Sequence, residues 1–125
     1  MGKTSQTEFI PLDQPLLGSG TAHSNLINSI LKRCGGDGRA VLWRNDVGLF
    51  YTRQGKPISI SLKGSPDIIG FLRNGKFIGI ECKTGQAVQN NAQKAFERVC
   101  KSMQTLYFVA RDPNEISRSI DAELA

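Results

Sequence analysis

No stretch of this chain approaches the ~20 consecutive apolar residues that a helix needs to cross a bilayer. Its opening run, Met1-Gly2-Lys3-Thr4-Ser5-Gln6, also lacks the apolar core of a secretory leader, so a cytoplasmic location is expected and a membrane partner is not. Cysteine is scarce. The three thiols, Cys34, Cys82 and Cys100, are odd in number and never spaced Cys-x-x-Cys, which argues against a disulfide framework or a zinc site and for reduced, buried side chains. The thirteen glycines are scattered at turns and form no phosphate-cradling loop, so no nucleotide cofactor is expected. Internal repeats are absent as well, which excludes solenoid architectures.

Positive charge is what the chain has in surplus. Sixteen Lys and Arg face eleven Asp and Glu, giving +5 and a pI near 9.4. Such a balance suits an acidic partner, of which nucleic acid is the commonest. A length of 125 residues makes one domain with a real core and leaves no room for a separate substrate domain.

Residues 1–20, with Pro11, Pro15, Gly18 and Gly20, read as an extended arm, and residues 21–125 as a single domain. The stripe Ala22, Leu26, Ile27, Ile30 and Leu31 predicts a first helix, stopped by Cys34-Gly35-Gly36-Asp37-Gly38. Strands are predicted at Arg39–Trp43, Val47–Tyr51 and Ile58–Leu62, the last alternating as if one face were solvated. A hairpin follows, then a helix from about Asn91 to Met103 on the stripe Ala92, Ala95, Phe96, Val99 and Met103. Leu106–Ala110 reads as a buried strand. Asp112-Pro113-Asn114-Glu115 supplies an N-cap, a proline at N1 and an acid at N3 for a last helix. The order defines an α/β domain.

The chemistry is concentrated between Gly64 and Lys83. Alternation along a strand points Phe77, Gly79, Glu81 and Lys83 one way and Ile78, Ile80 and Cys82 the other. A two-residue Asn74-Gly75 turn would set Asp67 opposite Cys82, facing away from Glu81. A three-residue loop, Arg73-Asn74-Gly75, with Gly75 left-handed, pairs Leu72 with Lys76 and brings Asp67 across from Glu81. Two opposed carboxylates suit a hard divalent cation such as Mg²⁺, and a neighbouring lysine suits holding an attacking water. The same letters also suit an ordinary hairpin with a solvated Glu-x-Lys face. Apolar residues on both faces, from Ile68, Ile69, Phe71 and Leu72 to Phe77, Ile78 and Ile80, predict a central pair buried on both sides, where unpaired charge is costly.

Ser65-Pro66-Asp67, Glu81-Cys82-Lys83, Gln93 in Asn90-Asn91-Ala92-Gln93-Lys94, and the upstream run Trp43-Arg44-Asn45-Asp46-Val47-Gly48 together resemble the virus-type replication-repair nuclease domain. That domain is a branch of the PD-(D/E)xK nuclease superfamily. The resemblance covers roughly residues 22–112 and is to stand-alone members of the kind carried by bacteriophages. It implies a restriction-endonuclease-like core, a mixed central β-sheet flanked by α-helices. It further implies Asp67, Glu81 and the Cys82 main-chain carbonyl as ligands of Mg²⁺ or Mn²⁺, with Lys83 and Gln93 catalytic beside Asp67 and Glu81. The implied activity is metal-dependent cleavage of branched DNA, with resolution of four-way junctions by a homodimer as the leading expectation. A flap or single-strand nuclease, or a non-cutting binding module, are the alternatives.

One departure stands out: the first helix carries no acid where many family members direct one at the metal. His23 or Asn25 would fill that place, or His23 is simply a polar first-turn residue. Gln93 has a second reading as partner of Asn90 in a capping box. Arg44, Lys63, Lys94, Arg98 and Lys101 are the candidate phosphate contacts, although Lys94, Arg98 and Lys101 also fit a solvated helix face. Trp43 is either a stacking residue at a branch point or core. Leu12, Leu16 and Leu17 in the arm, and Ile58, Ile60 and Leu62, are candidate dimer contacts or pack on the chain's own core.

Overall fold

Thr21 opens the first element: its hydroxyl accepts the Ser24 N–H at 3.0 Å, satisfying one of the free donors at the start of α1, Ala22–Cys34. The computed structural model describes residues 21–125, apart from the side chains of Leu49 and Ile60; the expected arm, with Leu12, Leu16 and Leu17, lies outside the described residues. One stripe of α1, Leu26, Ile27, Ile30 and Cys34, is buried, and Lys32 and Arg33 occupy its last turn, where the helix dipole favours cations.

The remaining elements are β1 Ala40–Arg44, β2 Gly48–Tyr51, β3 Pro57–Ile60, β4 Ile68–Leu72, β5 Phe77–Cys82, α2 Asn91–Ser102, β6 Leu106–Ala110 and α3 Pro113–Leu124. Four strands form one sheet in the order β1-β4-β5-β6, antiparallel except for the parallel β5–β6 pair, whose connection contains α2. Among the described residues the protein is therefore α/β, with a mixed sheet and three helices, as expected. β2 and β3 form a separate two-stranded sheet. Among the described residues no helix is long and apolar enough to cross a membrane.

The hairpin has the three-residue loop. Leu72 and Lys76 are joined through the Leu72 N–H at 2.9 Å, Phe71 pairs with Phe77 and Ile68 with Ile80, so Asp67 falls opposite Glu81. Gly75 has φ 89°, the left-handed value that closes this loop without a Cβ penalty.

Alternation sorts the two faces. Ala40, Ile68, Leu72, Ile78, Ile80, Cys82 and Ala110 face α1 and α3 and make the core with Ile27, Ile30, Ile116 and Ile120. The opposite face is covered by α2 only toward β6. Two expectations are corrected here. The hairpin is not buried on both sides throughout: β5 is, but Phe71 on β4 is 46% exposed, because α2 does not extend over β4 and β1. The strand expected at Ile58–Leu62 ends at Ile60, since Ser61 takes φ 63° and turns the chain away. Ile58 and Leu62 are exposed rather than packed on the core, and the Ile60 side chain lies outside the described residues.

Candidate functional site

Asp67 sits one residue before β4, and its place is set by the neighbouring chain. Asn45, just beyond β1, donates its main-chain N–H to the Asp67 carbonyl at 2.7 Å. Its side-chain amide donates to Ser65 Oγ and to the Pro66 carbonyl, both at 2.8 Å, and accepts from Ser61 Oγ at 2.8 Å. One asparagine thus ties the whole 61–67 segment to the end of β1. Asn45→Ala is expected to cost about 2 kcal/mol, because buried acceptors lose a donor rather than exchanging it for another. Calorimetric unfolding should show the midpoint several degrees lower; an unchanged midpoint would mean the segment holds itself.

The Asp67 carboxylate is held twice through Oδ2, which accepts the Cys82 N–H at 2.9 Å and lies 3.2 Å from His23 Nε2. His23 is thus no free polar residue at a helix start. It brings α1 to the place where the expected acid is missing. The Cys82 N–H points toward β4, and strand geometry sends a residue's carbonyl the same way as its N–H. The carbonyl of Cys82 is accordingly turned toward Asp67's edge, while its side chain belongs to the core and burial pushes the thiol up to about 12. Only the main chain of Cys82 serves the site.

Glu81, on β5, is 2% exposed. Its Oε2 accepts from Gln93 Nε2 at 2.9 Å and lies 3.6 Å from Lys83 Nζ. Its Oε1 is buried with no hydrogen-bond partner. Burial, and then the charge of Asp67, push the Glu81 carboxyl up to about 8, with Lys83 only partly opposing them. Gln93 does form the capping box with Asn90, and it also reaches Glu81. Its Oε1 accepts the Asn90 N–H and its own N–H donates to Asn90 Oδ1, both at 2.9 Å, leaving Nε2 for Glu81. A capping box aims the amide at the carboxylate.

Asp67, Glu81 and Gln93 line one wall of a cleft of about 380 Å³ that also takes in Arg44, Asp46 and Lys63, whereas His23, Cys82 and Lys83 stand behind that wall. Arg44 is 3.3 Å from Asp46. Lys94, Arg98 and Lys101 are not in the cleft wall; they lie on the exposed side of α2, and Lys101 pairs with Glu97 at 3.0 Å. Of the expected site residues the fold therefore brings together Asp67, Glu81, Lys83, Gln93 and the Cys82 main chain, with Arg44 and Lys63 beside them. Asn45 and Ser65 stand in the runs quoted for the resemblance without a role of their own, and Ser61 was not singled out. A polar residue directly after an apolar strand was the available signal.

The donor set fits a hard cation. Among the described residues no three His, Cys, Asp or Glu side chains form a ready metal cage. Two carboxylates are nevertheless the ordinary protein contribution to a Mg²⁺ site, where water and substrate phosphate complete the shell. An unpartnered buried oxygen on Glu81 beside a second carboxylate is the kind of defect that a cation removes. No protein-family model matches the chain and no curated protein matches it, so the resemblance to the nuclease family rests on the motif residues.

Proposed function

We propose that the protein is a metal-dependent DNA endonuclease of the virus-type replication-repair nuclease kind, a phage-type member serving DNA repair or replication. The observation that carries this reading is Glu81: a carboxylate buried against Asp67, one oxygen unpartnered, on the wall of a cleft shared with Arg44 and Lys63. Asp67, Glu81 and the Cys82 carbonyl would hold Mg²⁺ or Mn²⁺, which when bound supplies a Lewis acid and acidifies a water. Gln93 locks the Glu81 rotamer, and His23 and the Cys82 N–H lock Asp67, so neither carboxylate needs to reorganise. Lys83, anchored by its N–H to the Ala110 carbonyl at 3.0 Å, extends its amine beside Glu81 where it would hold and orient the attacking water. Arg44 and Lys63 would receive the phosphates flanking the cut.

Branched DNA is the proposed substrate, and the four-way junction its leading form. Resolving a junction takes two cuts and each chain offers one such cleft, so the proposed working unit is a C2 homodimer. Labelled duplex, flap and junction DNA incubated with Mg²⁺, Mn²⁺ or EDTA tests all of this together with sedimentation. Cleavage should require the metal, and Lys83→Ala should lower it by about 10²-fold or more while calorimetry shows the metal still bound. Cutting in EDTA, or by Lys83→Ala at the normal rate, refutes the assignment. A monomer that cuts flaps but not junctions would make the flap nuclease the better reading.

A further inference from the structure

Among the described residues, the sheet face that bears Asp67 and Glu81 continues across β4 and β1 as a half-exposed apolar surface. Opposed residues share a face, and the pairs Trp43–Ile69 and Val41–Phe71 put Val41, Trp43 and Phe71 on Asp67's side of the sheet. Trp43 and Phe71 are each 46% exposed and Val41 is exposed as well, so this tryptophan is not a core residue. The two rings meet edge to face, centroids 6.3 Å apart at 73°, an arrangement in which the ring that offers its edge keeps both faces clear of its partner.

Trp43 stands opposite Ile69, two residues along β4 from Asp67, so it is a diagonal neighbour of the proposed metal ligand at roughly 7–8 Å. Cations bound the surface at both ends. Arg44 and Lys63 line the adjoining cleft, and Arg73 is exposed at the hairpin loop beyond Phe71. A rigid aromatic surface framed by positive charge and continuous with an acidic cleft is complementary to a polyanion that carries flat, apolar rings. A second copy of a +5 chain would bring its own cations against these.

We propose that Trp43 and Phe71 form a stacking platform for one or two unpaired nucleobases beside the scissile phosphate. This inference rests on the nuclease reading and deepens it: the preferred substrate presents single-stranded nucleotides next to the cut, as a flap base or an opened branch point does and a plain duplex does not.

Trp43 is the chain's single tryptophan, so tryptophan emission reports on this ring alone. The full, unsubstituted chain in EDTA is titrated with oligothymidylate and with a blunt duplex of equal length, following emission and anisotropy together. Oligothymidylate should quench most of the emission and the duplex little of it. Phe71→Ser and Trp43→Ala should each weaken oligothymidylate binding about tenfold while duplex binding changes less than about threefold. Should Trp43→Ala not fold, the quenching titration decides by itself. Single-strand binding without quenching overturns the platform and leaves the nuclease reading intact. No binding to any DNA, with no cleavage when metal is added, overturns both. An emission change that depends on protein concentration alone, with a dimer in sedimentation, gives the surface to a second copy and also overturns the platform.

Discussion

Glu81→Gln is expected to make the metal-free protein more stable at pH 8 and to abolish metal-dependent cleavage. Both effects have one origin. In the folded chain the Glu81 carboxyl is pushed up to about 8 from an ordinary 4.5, by burial first and by Asp67 second. A carboxyl raised on folding favours the folded state only while it stays protonated. The favourable contribution is complete below pH 4.5 and is lost as pH rises through the window up to about 8. Above that window the metal-free protein carries a buried carboxylate against another carboxylate, a penalty on the order of a few kcal/mol.

Glutamine keeps the shape, still accepts from Gln93, and puts an uncharged amide NH2 where the unpartnered oxygen stood. Unfolding in EDTA at pH 5 and pH 8 should therefore show the wild type losing several degrees across the interval and Glu81→Gln losing little, with the variant the more stable at pH 8. Mg²⁺ should raise the wild-type midpoint at pH 8 and leave that of the variant nearly unmoved, since only the former gains from binding. A variant less stable than wild type at pH 8 would show that Lys83 balances the carboxylate pair, and the case for a cation would lose its main support.

Gly64→Ala should be severely damaging for a single added methyl beside the site. Gly64 has φ 84°, and a Cβ there would lie 2.3 Å from the Ala92 carbonyl oxygen and 2.6 Å from its carbon, both main-chain atoms of α2. Neither the 61–67 segment nor the first turn of α2 moves without disturbing the other. The first carries Asp67, the second Gln93. A loss of about 3 kcal/mol or more, read as a fall in the thermal midpoint of 10 °C or so, is the expected result, together with weaker Mn²⁺ binding by calorimetry. Gly75→Ala is the control. Its φ is 89° but a Cβ would meet nothing within 4 Å, so only backbone strain of about 1 kcal/mol remains. Equal effects from the two substitutions would mean that the contact with α2 contributes nothing.

Local signals carried much of this architecture. The hairpin register followed from strand alternation plus a left-handed Gly75, and the 12-residue α2 from a stripe and an Asn90 cap, because each depends on residues close in the chain. Pairing between distant segments left no such mark. Nothing in residues 40–44 says that this strand docks antiparallel on β4, and that docking decides that Trp43 shares a face with Asp67 while Asn45 reaches across to residues 61–67. The exposure of Phe71 was hidden for the same reason: apolar letters on both faces of β4 look buried until the extent of α2 is known. His23 was ambiguous because a histidine in a first turn takes its meaning from whatever stands opposite, here a residue 44 positions away.

Cys82 divides its labour between side chain and backbone, and this has a consequence for how the site withstands mutation. The N–H that steadies Asp67 belongs to the main chain, and so does the carbonyl assigned to the metal, whereas the thiol only fills space against the helices of the other face. Any side chain of suitable volume would leave both polar atoms where they are. Proline, which lacks the donor, or a slip in strand register would not. Genetic drift at this position is thus screened by packing alone, and the main-chain atoms that the proposed site uses are kept by a part of the residue that codon changes barely touch.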